Sequence, residues 1–111
     1  MKYSDQQRIQ KIYEKAVRLN GYIVSHQIKK EELLMEIPLQ WLVTTPLYNI
    51  GEHVYNLSSA YKEAHAEIQW AMIAGLRHRL IHDPDGTNWN IIADVIFEEL
   101  PVLIEQLEKL M

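Results

Sequence analysis

Apolar residues spaced three and four apart run through almost the whole chain, and no segment alternates apolar and polar residues over a useful length. That pattern restricts the fold to packed helices. Ser4 and Gln7 form a capping-box signature, and Ile9, Ile12, Tyr13, Ala16, Leu19 and Ile23 behind it mark one face of a first amphipathic helix. Its end is read either at Asn20-Gly21, as a left-handed cap, or near Ser25 if the glycine is absorbed. Lys29 to Leu57 repeats the periodicity, but Pro38 and Pro46 each remove a backbone donor and crowd the preceding turn, so a broken or kinked helix is expected. Thr45 before Pro46 has the form of an N-cap followed by an N1 proline, and a firm helix carrying Leu47, Ile50, Val54 and Leu57 should restart there.

From Glu67 to His82 the middle of the segment is almost without polar residues, which reads as a central helix buried by several neighbours, with Gly75 allowing close packing. Asp83-Pro84-Asp85-Gly86 then carries the preferences of a type I turn and ends that helix. Thr87 or Asn88 caps a last helix running from Trp89 past Ile96 and Leu103 to Leu110, with a kink expected at Pro101. The expected architecture is an all-α bundle of four to five helices, kinked at prolines, in which 111 residues form a single domain.

Charge and composition narrow the partners. Eleven Lys and Arg against fifteen Asp and Glu leave a net charge of −4, which argues against a dedicated duplex-DNA binder. The absence of cysteine excludes a disulfide scaffold, thiolate metal sites and a cysteine nucleophile. No stretch approaches the roughly 18 apolar residues of a membrane span, and the first residues lack the apolar core of a signal peptide, so a cytoplasmic protein without membrane contact is expected.

One segment looks chemical. Arg77-His78-Arg79-Leu80-Ile81-His82-Asp83 packs two arginines and two histidines into about one and a half turns, directly after the most apolar stretch. Arginine presents a permanently charged planar fork to phosphate oxygens, and histidine exchanges a proton near neutral pH. Such a set suits cleavage of a phosphodiester. RNA is the better substrate, because its 2′-hydroxyl attacks the adjacent phosphorus once a base, an acid and a cation are supplied, with no metal needed. Five residues separate Arg77 from His82, about 140° around an ideal helix, so the two converge only in an unwinding last turn or by pooling two chains. His78 and His82 share a face, but no carboxylate sits between them as in a metalloprotease helix, and no metal or other cofactor is expected. A plainer arrangement pairs Arg79 with Asp83 and Arg77 with a neighbouring carboxylate such as Glu52. His26, His53 and His65 stand singly and read as structural or solvated.

The ordered motifs Ile50-Gly51-Glu52, Asn56-Leu57-Ser58, Ile68-Gln69-Trp70, Ile73-Ala74-Gly75-Leu76-Arg77, Leu80-Ile81-His82-Asp83, Gly86 and Leu100-Pro101 resemble the HEPN superfamily. More narrowly they resemble its short HepT-like branch, the toxin partners of minimal nucleotidyltransferase antitoxins, over essentially residues 30 to 108. The resemblance implies a homodimer that brings two Arg-x4-His motifs into one cleft, and a metal-independent endoribonuclease acting on transfer RNA or other cellular RNA. Carried over, Arg77 binds and polarises the scissile phosphate, His82 acts as general acid or base, and His78 orients the motif or contacts RNA, with Arg79 beside it. The family pattern continues to a tyrosine that accepts AMP from the antitoxin; here that position is Pro84, so this control cannot operate there. An aromatic residue of the family's last helix falls at Ala93, with Trp89 one turn earlier. The alternative expectation is a non-catalytic HEPN module that binds a nucleotidyltransferase, a nucleotide or RNA without cutting.

Overall fold

A computed structural model describes residues 2–81 and 86–111, and every regular element among them is helical. Helix α1 (Asp5–Ser25) starts where the capping box places it: Ser4 Oγ accepts from Gln7 N at 3.1 Å, and Ser4 N donates back to Gln7 Oε1 at 2.8 Å. It passes through Gly21 and ends at Ser25, and it buries Ile9, Ile12, Ala16, Leu19 and Ile23.

The chain leaves helix twice between α1 and its second long helix, over residues 26–29 and again at Glu36. Helix α2 (Lys30–Met35) stops there, and α3 (Ile37–Tyr55) begins with Pro38 in its first turn, where a missing N–H costs nothing. Gln40 bridges the second break, donating from Nε2 to the Leu33 carbonyl at 3.0 Å. The expected restart at Thr45 does not occur, because α3 is helical through Pro46. Pro46 forfeits one hydrogen bond, while Val43, Leu47, Ile50 and Val54 on the same helix are all buried, and that burial outweighs the loss.

Ser58 caps the short α4 (Ser59–Ala64), accepting from Tyr61 N, and both its N–H and its hydroxyl donate to the Asp5 carboxylate, at 2.9 and 2.6 Å. The start of α1 is thereby tied to the start of α4. Where one central helix was expected from Glu67, there are two short ones, α5 (Trp70–Ala74) and α6 (Leu76–Ile81), meeting at Gly75. Nor is this segment buried all round. Trp70, Ile73, Leu76 and Leu80 face the core, whereas Ala71 is exposed and Met72 and Ala74 are half-buried. The helix that takes neighbours on several sides is α3, packed against α1, α2, α5 and α6.

Asn88 caps α7 (Trp89–Asp94), its side chain accepting from the N–H groups of Asn90 and Ile91. A π-helical turn, Val95–Glu99, joins α7 to α8 (Leu100–Glu108), with Leu100 N–H reaching back to the Val95 carbonyl. The change of register sits directly before Pro101, which has no N–H for an α-helical bond to Phe97. Lys30 of α2 forms ion pairs with Asp94 and, at 3.6 Å, with Glu98, holding α2 against this last helical stretch. No helix among the described residues is long and apolar enough to cross a membrane.

Candidate functional site

The first turn of α6 places Arg77 against α3. Its Nη1 lies 3.5 Å from Glu52 Oε2, and its guanidinium carbon sits 3.7 Å from the centre of the Tyr55 ring. Glu52 and Tyr55 are three apart on one helix and so present one face to the arginine. A planar cation stacked on an aromatic face and bordered by a carboxylate is fixed in both position and tilt.

Gly51 makes this approach possible. A Cβ at that position would stand 3.0 Å from Arg77 N and 3.1 Å from the Ile73 carbonyl oxygen, both backbone atoms. Any larger residue would push α3 and α6 apart. Gly75, the position expected to allow close packing, has only ordinary contacts at 3.4 Å to its own helix, so the close-approach glycine is Gly51.

Glu52 Oε2 is shielded from solvent yet makes no hydrogen bond among the described residues. Its only near cation there is Arg77, at ion-pair distance without hydrogen-bond geometry. On its other side Glu52 adjoins His53, whose Nδ1 lies 3.2 Å from Arg8 Nη1. Burial, followed by the charges of Arg8, Lys15 and Lys11, holds His53 below the ordinary histidine pKa.

His78 and Arg79 occupy the next two positions of α6 and are exposed. The Arg79 carbonyl accepts from Thr87 Oγ1 at 3.0 Å, which draws the approach to α7 against α6. His82, Asp83 and Pro84 lie outside the described residues, so the expected meeting of Arg77 with His82, an Arg79–Asp83 pair and the setting of Pro84 lie outside them too. Ala93 is fully buried and Trp89 half-buried, so at the position of the family's last-helix aromatic there is a small core residue. Among the described residues no three His, Asp or Glu side chains converge on a metal position.

The partner of Arg77 was legible as Glu52, but Tyr55 and Gly51 were not singled out for this site. The signals were there: an aromatic residue one turn after Glu52, and a glycine inside an apolar helix, where it costs about 1 kcal/mol against alanine unless close packing requires it.

Residues 6–110 match the family described as "Ribonuclease HepT-like". The chain is 40% identical over 62 residues to "Putative RNase TTE0752" of Caldanaerobacter subterraneus subsp. tengcongensis, covering 56% of this chain and 55% of that protein. It is 32% identical over 80 residues to "Putative RNase MJ0127" of Methanocaldococcus jannaschii, covering 72% of this chain and 66% of that protein. With "Probable ribonuclease HepT" of Thermococcus cleftensis it shares 31% identity over 86 residues, 78% of each chain. The chain thus spans about half the length of the first of these relatives and about two thirds of the second. No solved structure matches. With the match extending over nearly its whole length, the chain belongs to the HepT-like ribonuclease family.

Proposed function

We propose that this protein is a metal-independent endoribonuclease toxin whose reaction is centred on Arg77 and His82. The observation that carries the reading is the fixed guanidinium of Arg77, stacked on Tyr55 and bordered by Glu52, at the head of the Arg-x4-His motif of a HepT-like ribonuclease. Arg77 binds a non-bridging oxygen of the scissile phosphate and stabilises the charge that builds on it. The 2′-oxygen attacks phosphorus and gives up its proton; the bond to the 5′-oxygen breaks, and that oxygen leaves with a proton as a 5′-hydroxyl. A 2′,3′-cyclic phosphate remains. His82 moves one of these protons. His78 and Arg79, exposed beside the motif, contact the flanking RNA.

Two arginines are thin for a polyanion on a chain of net charge −4, so we take the active unit to be a homodimer that pools two motifs in one cleft. Transfer RNA is the substrate we expect. The partner in the cell is a minimal nucleotidyltransferase antitoxin, which must act through another residue or by covering the cleft, since Pro84 stands where the AMP-accepting tyrosine would be.

One observation favours a second reading, a HEPN module that binds a nucleotidyltransferase, a nucleotide or RNA without cutting: one arm of Arg77, Nη1, already lies at ion-pair distance from a carboxylate of its own chain. Mass analysis of the RNA ends separates the two. Fragments ending in a 2′,3′-cyclic phosphate, made by the wild type and absent with His82→Ala, support the nuclease; an intact RNA that is nonetheless retained by the protein supports the binding module.

A further inference from the structure

The cations of this acidic chain are unevenly placed. Arg8, Lys11, Lys15 and Arg18, four of the eleven, stand at spacings of three, four and three on α1. Each directly precedes a core residue, namely Ile9, Ile12, Ala16 and Leu19, so at about 100° per residue they form one stripe along the edge of the buried face. That edge looks toward α3. Arg8 meets His53 there, and Lys15 and Arg18 form one wall of an open groove of about 340 Å³ whose other wall holds Leu42, Thr45 and Asn49.

Among the described residues none of the four cations forms an ion pair with a carboxylate. Both carboxylates of α1 are engaged elsewhere, Asp5 by Ser58 and Glu14 by Gln10 Nε2 at 3.2 Å. The far wall of the groove is uncharged.

Along α3, rings recur at a seven-residue spacing: the exposed Trp41, the half-buried Tyr48 and the exposed Tyr55. Two helical turns separate each pair, so the three share a face over about 21 Å. Trp41 is 71% exposed, an unusual position for tryptophan, and Tyr55 is 52% exposed while carrying Arg77 on its ring. The rings thus lie across the exposed width of α3 from cations that have no carboxylate partner among the described residues, although Arg8 and Lys11 also rest on the Tyr3 ring, and the last ring carries the candidate catalytic arginine. Cations that follow a phosphate backbone beside rings that stack on bases are the two components of single-strand recognition, and base pairing would hide the faces the rings need.

We propose that the basic stripe of α1 and the aromatic ridge of α3 form a track for single-stranded RNA, with phosphates along Lys11, Lys15 and Arg18 and unpaired bases against Trp41 and Tyr48. Its destination rests on the ribonuclease reading of Arg77, but the track binds whether or not the strand is cut.

The test is fluorescence anisotropy with a labelled single-stranded oligoribonucleotide of about 12 nucleotides, and its duplex form, titrated with the full chain over a range of salt. Lys15→Glu/Arg18→Glu should weaken single-strand binding at least about tenfold and reduce the slope of log affinity against log salt by about 1.4, the share of two cations on a single strand. Trp41→Ala should weaken it about fivefold or more, and the duplex should bind less tightly than the strand. Circular dichroism and gel filtration on the same samples should show unchanged helix content and size. Unchanged affinity and slope in the double variant, or no binding by the wild type, overturns the track. So does a shift of either variant to a smaller species, which would assign this face to contact between copies. Binding through the stripe without cleavage would defeat the nuclease reading alone; cleavage indifferent to all three substitutions would defeat the track alone.

Discussion

Gly51 of α3 and Arg77 of α6 meet backbone to backbone, so close that a Cβ on Gly51 would stand 3.0 Å from the Arg77 nitrogen. This contact sets where the arginine begins, and Glu52 and Tyr55, one and four residues further along α3, set where it ends. One helix therefore supplies both the clearance for Arg77 and its two partners.

Gly51→Ala should destabilise the fold by about 1–2 kcal/mol in urea denaturation. Overpacking two backbone atoms outweighs the better helix propensity of alanine, which is worth about 1 kcal/mol on its own. Since the displaced element carries Arg77, cleavage should fall as well. A variant as stable as the wild type would show that α3 and α6 are not in this contact.

Glu52→Gln keeps the shape of the side chain and removes its charge. The pair is partly exposed, with side-chain exposures of 34% and 40%, so stability should change by less than about 1 kcal/mol. Kinetics should respond more. With Arg77 no longer oriented by a carboxylate, kcat should fall about tenfold while KM for RNA stays level or drops, because a competing anion has been removed. A rise in KM with kcat unchanged would count against a positioning role.

Tyr55 offers a cleaner separation of ring from hydroxyl. Tyr55→Phe keeps the aromatic face under the guanidinium and should retain near wild-type cleavage, whereas Tyr55→Ala should lower kcat several-fold. Equal loss in both variants would mean that the hydroxyl, and not the ring, is what matters.

His53 makes stability depend on pH. Burial and the Arg8, Lys15 and Lys11 charges hold its folded pKa below the ordinary 6.5, so the unfolded chain binds the proton more readily. Its contribution is fully present above 6.5 and is lost as pH falls through that value toward the lower folded pKa. His53→Gln should flatten the thermal-stability profile on that side of neutrality. Asp5, held below its ordinary 3.8 by hydrogen bonds from Ser58, adds a separate loss only at more acid pH, so the two are resolved by titrating downward from neutrality.

Local signals in the sequence were reliable where the determinant was local. The Ser4 capping box and the Asn88 cap act through bonds to residues two or three away; the first appears where the pattern puts it, and the second at one of the two positions, Thr87 and Asn88, that the pattern offers. Pro46 misled because its penalty is a single hydrogen bond, while the reward of a continuous α3 comes from α1, α5 and α6, elements far away in the chain. The segment from Glu67 to His82 misled in the opposite sense. Its small residues, Ala71, Ala74 and Gly75, read as core by composition, yet they sit on or near the surface of a helix broken in two. Of the site, charge alone offers Glu52, as an example of a carboxylate that Arg77 could meet. Tyr55 and Gly51 were not legible, since their roles depend on which face of α3 meets α6.

The central claim is that Arg77 and His82 cut RNA. Its most direct test is cleavage of purified transfer RNA by the full chain in excess EDTA, alongside Arg77→Ala and His82→Ala, with helix content and oligomeric state recorded on the same samples. The account predicts cutting by a wild-type dimer and none by either variant, both folded and dimeric. Cutting that survives either substitution, or a folded wild-type dimer that leaves the RNA whole, would contradict it.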